Sequence, residues 1–86
     1  MQYINFGKFV RNKREKLGKS LNVFAIECEI DKASLSNFER GLNSIYFNNF
    51  IKIANGFNMT PAELLQEFEQ NISIANSQWN IAKNLT

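Results

Sequence analysis

The chain has 86 residues, a length for one domain, and its 44% hydrophobic content with eight phenylalanines can fill a core without disulfide or metal staples. A single cysteine excludes an intramolecular bridge and suits a reducing, cytoplasmic setting, while the absence of histidine removes the usual general base and the commonest metal ligand, which argues against an enzyme and against a bound metal or cofactor. The N-terminal stretch MQYINFGKFV lacks the long apolar region of a signal peptide, and no apolar run approaches the roughly 18 residues of a membrane span.

Net charge is only +2, but it is unevenly spread. Residues 1–60 carry nine Lys/Arg against five acids, a balance of +4, and residues 61–86 carry one Lys against three Glu, a balance of −2. The basic part suits a polyanion partner, and a solvated surface explains the same charges equally well.

In chain order, hydrophobic spacing predicts a first helix from about Asn5 to Leu17, with Phe6, Val10 and Leu17 on one face, Phe9 beside them, and Gly18 as a left-handed stop. Arg11, Lys13, Arg14, Lys16 and Lys19 gather in its C-terminal half, where cations also complement the helix dipole. Ser20 is a suitable N-cap for helix two, about Leu21 to Glu27, whose inward residues are Phe24, Ala25 and Cys28. The small Ala25 lets two helices approach closely. Cys28 reads as an inert core thiol. A break follows at Glu29-Ile30, with Ile30 as a buried plug.

Asp31 caps helix three, about Lys32 to Arg40, which Gly41 ends. Leu35 and Phe38 point inward, leaving Lys32, Ala33, Ser36 and Asn37 outward with little hydrophobic reason to be there. Residues 42–46 connect to helix four, about Phe47 to Asn55, with Phe47, Phe50, Ile51 and Ala54 inward and Gly56 and Asn58 marking its end. Thr60-Pro61 is a strong helix start, and helix five carries Leu64, Leu65 and Phe68.

Beyond this, Leu64, Phe68, Ile72, Ala75, Trp79 and Ala82 recur at heptad-like spacing, which makes Phe68, Ile72 and Trp79 candidates for a dimer contact. Asn71, Ser73, Asn76, Ser77 and Asn80 are poor helix formers. The pattern therefore divides the chain into a domain at 1–69 and a tail at 70–86, the tail being either an extra dimerisation helix or a frayed polar terminus. Trp79 can equally stack on a base or cover the core.

Ser20–Gly41 resembles the phage-repressor-like (Cro/cI-type, XRE) helix-turn-helix family, and the likeness extends over about residues 4–66. It rests on Gly7, Arg14, Gly18, Ser20, Phe24-Ala25, Ile30-Asp31, Leu35-Ser36 and above all Phe38-Glu39-Arg40-Gly41, which is similar to the family's I-E-R-G ending. Phe47-x-x-Phe50-Ile51-x-Ile53-Ala54 and Pro61-x-Glu63-Leu64-Leu65 follow in register without a gap. The resemblance implies an all-α, five-helix lambda-repressor-like DNA-binding domain with the helix-turn-helix at helices two and three. It also implies a transcriptional regulator on double-stranded DNA.

In such proteins the second helix of the motif enters the major groove with its N-terminal residues toward the bases. Carried over by register, the base-reading candidates are Lys32, Ala33, Ser34, Ser36 and Asn37. Asn37 offers donor and acceptor to adenine, Lys32 suits guanine or a phosphate, and Ala33 can meet a thymine methyl. The phosphate candidates are Lys19, Ser20 and Asn22 around the start of helix two, and Arg40, Asn43 and Ser44 after helix three, although turn chemistry accounts for Asn43 and Ser44 as well. Arg14 and Glu39 read as a structural pair that poses helix three. Two residues depart from the family pattern: Leu21 stands where glutamine is usual, and Glu29 where the turn usually has glycine.

The function expected is a sequence-specific regulator of the small repressor or controller type, binding as a homodimer, with RNA polymerase as a further partner. The alternative is a protein-interaction module, such as an antitoxin that binds a toxin, with weak or lost DNA binding.

Overall fold

The computed structural model describes residues 6–75, with side chains through Asn71. Among these residues there are five helices and no strand: α1 (Phe6–Lys16), α2 (Leu21–Cys28), α3 (Lys32–Glu39), α4 (Phe47–Gly56) and α5 (Pro61–Ala75). Local chemistry sets most of the boundaries. The Ser20 hydroxyl accepts from the Val23 N–H at 3.1 Å to start α2, and the Asp31 carboxylate accepts from the Ser34 N–H at 3.1 Å to start α3. At α5, Thr60 Oγ1 accepts from the Glu63 N–H (3.1 Å) while Glu63 Oε1 accepts from the Thr60 N–H (2.8 Å), a reciprocal capping box. Gly18 ends α1 with φ 72°.

Each helix sends at least one fully buried apolar side chain to a common core, the largest being Val10, Phe24, Leu35, Ile53 and Leu64. Around them Phe6 meets Phe9, Phe38, Phe50 and Phe68 at ring-centroid distances of 4.8–5.9 Å, so one aromatic group joins α1, α3, α4 and α5. Phe24 meets Phe57 at 4.6 Å.

The packing corrects several expectations. Leu17 is 54% exposed because it lies past the last residue of α1, where the chain unwinds into the Gly18 turn and helical register no longer applies. Phe47 is 71% exposed: the start of α4 stands clear of the core, with Tyr46 and Asn48 also exposed, and core contact begins at Phe50, becoming complete at Ile53 and Ala54. Leu65 is exposed one position on from the buried Leu64. Ile30 packs against the core half-buried and not as an enclosed plug.

Gly56 ends α4, as the sequence places it. It is the last, buried residue of that helix, and a Cβ there would collide with Cys28 Sγ and press on the Phe24 ring, so its lack of a side chain lets α4 lie close on α2. The reversal comes two residues later at Asn58, φ 58°. α5 continues to Ala75, past residue 69 where the sequence pattern places the end of the domain.

Phe68, one of the three dimer candidates, is half-buried and its ring meets Phe6 (4.8 Å) and Phe9 (5.2 Å) within the chain. The other two dimer candidates, the Ile72 side chain and Trp79, lie outside the described residues, as do residues 76–86 as a whole.

Candidate nucleic-acid interface

α2 and α3 are joined by three residues. Glu29 caps α2 in the left-handed conformation, φ 57° and ψ 42°. Its N–H donates to Ile26 O (3.1 Å), and the Ile30 N–H donates to Ala25 O (3.0 Å), the paired bonds of a Schellman ending. Glycine is the usual residue at this position because a Cβ there is crowded. Glu29 adopts the conformation nonetheless, and its side chain is exposed.

α3 is fixed at its far end by Arg14 of α1. Arg14 Nε donates to Glu39 Oε2 and Nη2 donates to Glu39 Oε1, both at 2.9 Å, while Nη1 donates to Lys19 O at 2.8 Å. One guanidinium thus joins α1, the residue before the α2 cap, and the last residue of α3. Both partners are buried, at 7% and 5% exposure. The hydrogen bond to Glu39 pushes the Arg14 guanidinium above its ordinary value, outweighing the opposing effect of burial, so the group is charged throughout the accessible pH range. Buried in this way, Arg14 holds Glu39 and is turned away from any surface partner.

This fixation leaves Lys32, Ala33 and Ser34 exposed along the first turn of α3, with Ser36 and Asn37 half-buried further on. The Ser34 hydroxyl also lies 3.4 Å from the Asp31 carboxylate. Of the phosphate candidates, Ser20 and Asn22 are exposed at the start of α2, and Arg40, Asn43 and Ser44 are exposed after α3. Lys19 is half-buried and its Nζ lies 2.9 Å from Glu27 Oε1, so part of its charge is already neutralised. Leu21 is half-buried and packs on the core, so the position where the family carries glutamine serves the interior.

Three features were not legible in the sequence. Lys52 Nζ of α4 donates to the Glu29 main-chain carbonyl at 3.4 Å, and only the folded chain brings these residues together. A cleft of about 390 Å³ opens between α3 and α4, with Ser34, Asn43, Ser44, Tyr46 and Asn49 on its polar side and Leu35 and Ile53 on its apolar side. The close α2–α4 approach at Gly56 depends on a pairing with Cys28 that no local pattern signals.

Among the described residues no group of His, Cys, Asp or Glu is placed to hold a metal, and no helix is long and apolar enough to cross a membrane.

The sequence model of the helix-turn-helix family matches residues 10–64, from the middle of α1 into α5. A search of curated protein sequences returned no match. Among solved structures, the clp gene regulator ClgR from Corynebacterium glutamicum is similar, with a TM-score of 0.68 and 22% identity over 92% of this chain and 84% of that one. At that identity the likeness speaks for the fold alone. The family match spans more than half of the 86 residues and includes the capped α2–turn–α3 unit, and the chain belongs to the phage-repressor-like (Cro/cI-type, XRE) helix-turn-helix family, whose members are chiefly DNA-binding transcription regulators.

Proposed function

We propose that this protein is a sequence-specific DNA-binding transcriptional regulator of the small repressor or controller type, acting in the cytoplasm as a homodimer. The observation that carries the reading is the way α3 is held: its C-terminal end is clamped by the buried Arg14–Glu39 pair while Lys32, Ala33 and Ser34 stand exposed at its N-terminal turn. A helix fixed in this manner can offer donors, acceptors and a methyl group to base edges in a major groove. Ser36 and Asn37 extend the reading face. Ser20, Asn22 and Lys19 on one side and Arg40, Asn43 and Ser44 on the other would hold phosphates. Two copies would place their α3 helices in successive major grooves, roughly 34 Å apart. Regulation would follow from promoter occlusion or from a contact to RNA polymerase.

Selection of bound sequences from a random DNA pool tests this. A palindromic motif, bound with a steep dependence on salt, is the expected result. A pool that emerges unenriched at low salt removes the regulator reading.

Glu29 and Leu21 favour a second reading. A carboxylate at the turn and an apolar residue where glutamine is usual both weaken a phosphate contact, as in a module that binds a protein such as a toxin. That reading requires tight association with the protein partner and no enrichment in the DNA selection.

A further inference from the structure

We propose that Lys52 is a positioning residue for α3, tying the α2–α3 turn to α4; the inference rests on the DNA-binding reading above. The Arg14–Glu39 pair holds the C-terminal end of α3 and Leu35 and Phe38 seat its middle, which leaves the N-terminal turn that faces solvent with fewer constraints. That turn is approached through Glu29, three residues before α3 begins at Lys32, and Glu29 stands in a left-handed conformation that a residue with a Cβ adopts reluctantly.

At that point, beside the core packing of Ile30, the chain receives a hydrogen bond from a distant helix, from Lys52 Nζ to Glu29 O at 3.4 Å across 23 positions of sequence. Lys52 is half-buried and stands beside Ile53 and Ala54, both fully buried, so it reaches out from a well-anchored part of α4. The contact is long and solvent-exposed, and it is the positive charge of the donor that keeps it attractive at this distance. The acceptor is main chain, so the tie does not depend on which side chain occupies position 29. The reading helix is then fixed at both ends by cations from other helices, Arg14 of α1 at one end and Lys52 of α4 at the other.

The test compares Lys52→Met, which removes the donor and retains an apolar stem, with Lys52→Arg, which retains a cationic donor, both in the full chain. Without DNA, Lys52→Met is expected to speed amide exchange at Glu29, Ile30 and Ser34, the hydrogen-bonded amides of the turn, by about tenfold while α5 amides keep their protection, and Lys52→Arg to restore it. With DNA, Lys52→Met is expected to weaken a selected duplex by about five- to tenfold and to leave a random duplex and the salt slope unchanged.

Unchanged exchange at the turn overturns the tie. Equal weakening on both duplexes, with the salt slope reduced by about one, makes Lys52 a phosphate contact and overturns the positioning role. A wild-type chain that selects no duplex removes the regulator reading itself, and the exchange result then decides the tie separately.

Discussion

Asn37 and Cys28 mark opposite uses of a polar side chain. Asn37 is half-buried on α3, with its backbone carbonyl occupied by the Leu42 N–H at 2.9 Å. Its amide is the group on α3 best suited to a bidentate contact with adenine. Asn37→Ala is therefore expected to cost about 1–3 kcal/mol on the preferred duplex and to relax choice at one base pair, measured against duplexes varied singly at each position. Equal loss on every sequence would show that Asn37 reads no base. Cys28 is 2% exposed, and burial, reinforced by Glu27 and Glu39 against a smaller opposite pull from Lys19, pushes its thiol up to about 12. The native state thus keeps a proton that the unfolded chain, with an ordinary thiol near 9.0, releases at lower pH. Stability must fall as pH rises above about 9, because there the unfolded state binds fewer protons than the native one. In thermal melts the wild type should lose stability between pH 9 and 11 faster than Cys28→Ala does. Parallel losses in the two proteins would mean the thiol is not responsible. At pH 8 the same thiol should react far more slowly with an alkylating agent than free cysteine does.

At the scale of elements, α3 depends on a charge pair drawn from another helix. Removing one partner of a buried pair strands the other, which costs about 3–5 kcal/mol, whereas replacing both with apolar groups is often close to neutral. Arg14→Met should accordingly shift the urea midpoint sharply downward, and Arg14→Met with Glu39→Leu should recover most of that stability while binding selected DNA less well than wild type. If the double variant is no more stable than the single, the pair stabilises the fold outright and does not chiefly orient the helix. The elements themselves were largely legible in the sequence, because Ser20, Asp31 and the Thr60/Glu63 box are local instructions whose acceptors and donors lie three residues apart. The inward residues of α2 and α3 followed from spacing for the same reason. Illegible were features that depend on what a neighbour covers. Periodicity assigns Phe47 to the apolar face of α4, but nothing local reveals that this opening residue stands clear of the core while Phe50 packs on it. Gly56 ends α4 as its position suggests, but its second role, close packing on α2, appears only when Cys28 is set against it. In the candidate site, the outward positions of Lys32 and Ala33 were readable; Ser36 and Asn37, read as outward too, are half-buried, and the tie from Lys52 and the neutralisation of Lys19 by Glu27 required the fold.

For the whole molecule, the question is how much of α5 is available to a second copy. The heptad-like pattern starts with Leu64 and Phe68, yet Leu64 is fully buried and Phe68 lies against Phe6 and Phe9. The Lys13–Glu67 ion pair, 2.8 Å, fastens the same helix to α1 one residue earlier. The first part of α5 therefore contributes Leu64, Phe68 and Glu67 to packing within one copy. That role and a contact between copies separate under mass action: a homodimer melts at a temperature that rises with protein concentration, whereas damage within one copy lowers that temperature by a similar amount at every concentration. Truncating a large buried aromatic costs roughly 3–5 kcal/mol, and for a half-buried ring about half of that is reasonable. Phe68→Ala is thus expected to lower Tm by several degrees at both low and high protein concentration, with the wild-type slope of Tm against concentration retained. If that slope disappears while the dilute-limit Tm stays at its wild-type value, Phe68 belongs to the interface between copies and its place against Phe6 and Phe9 is secondary.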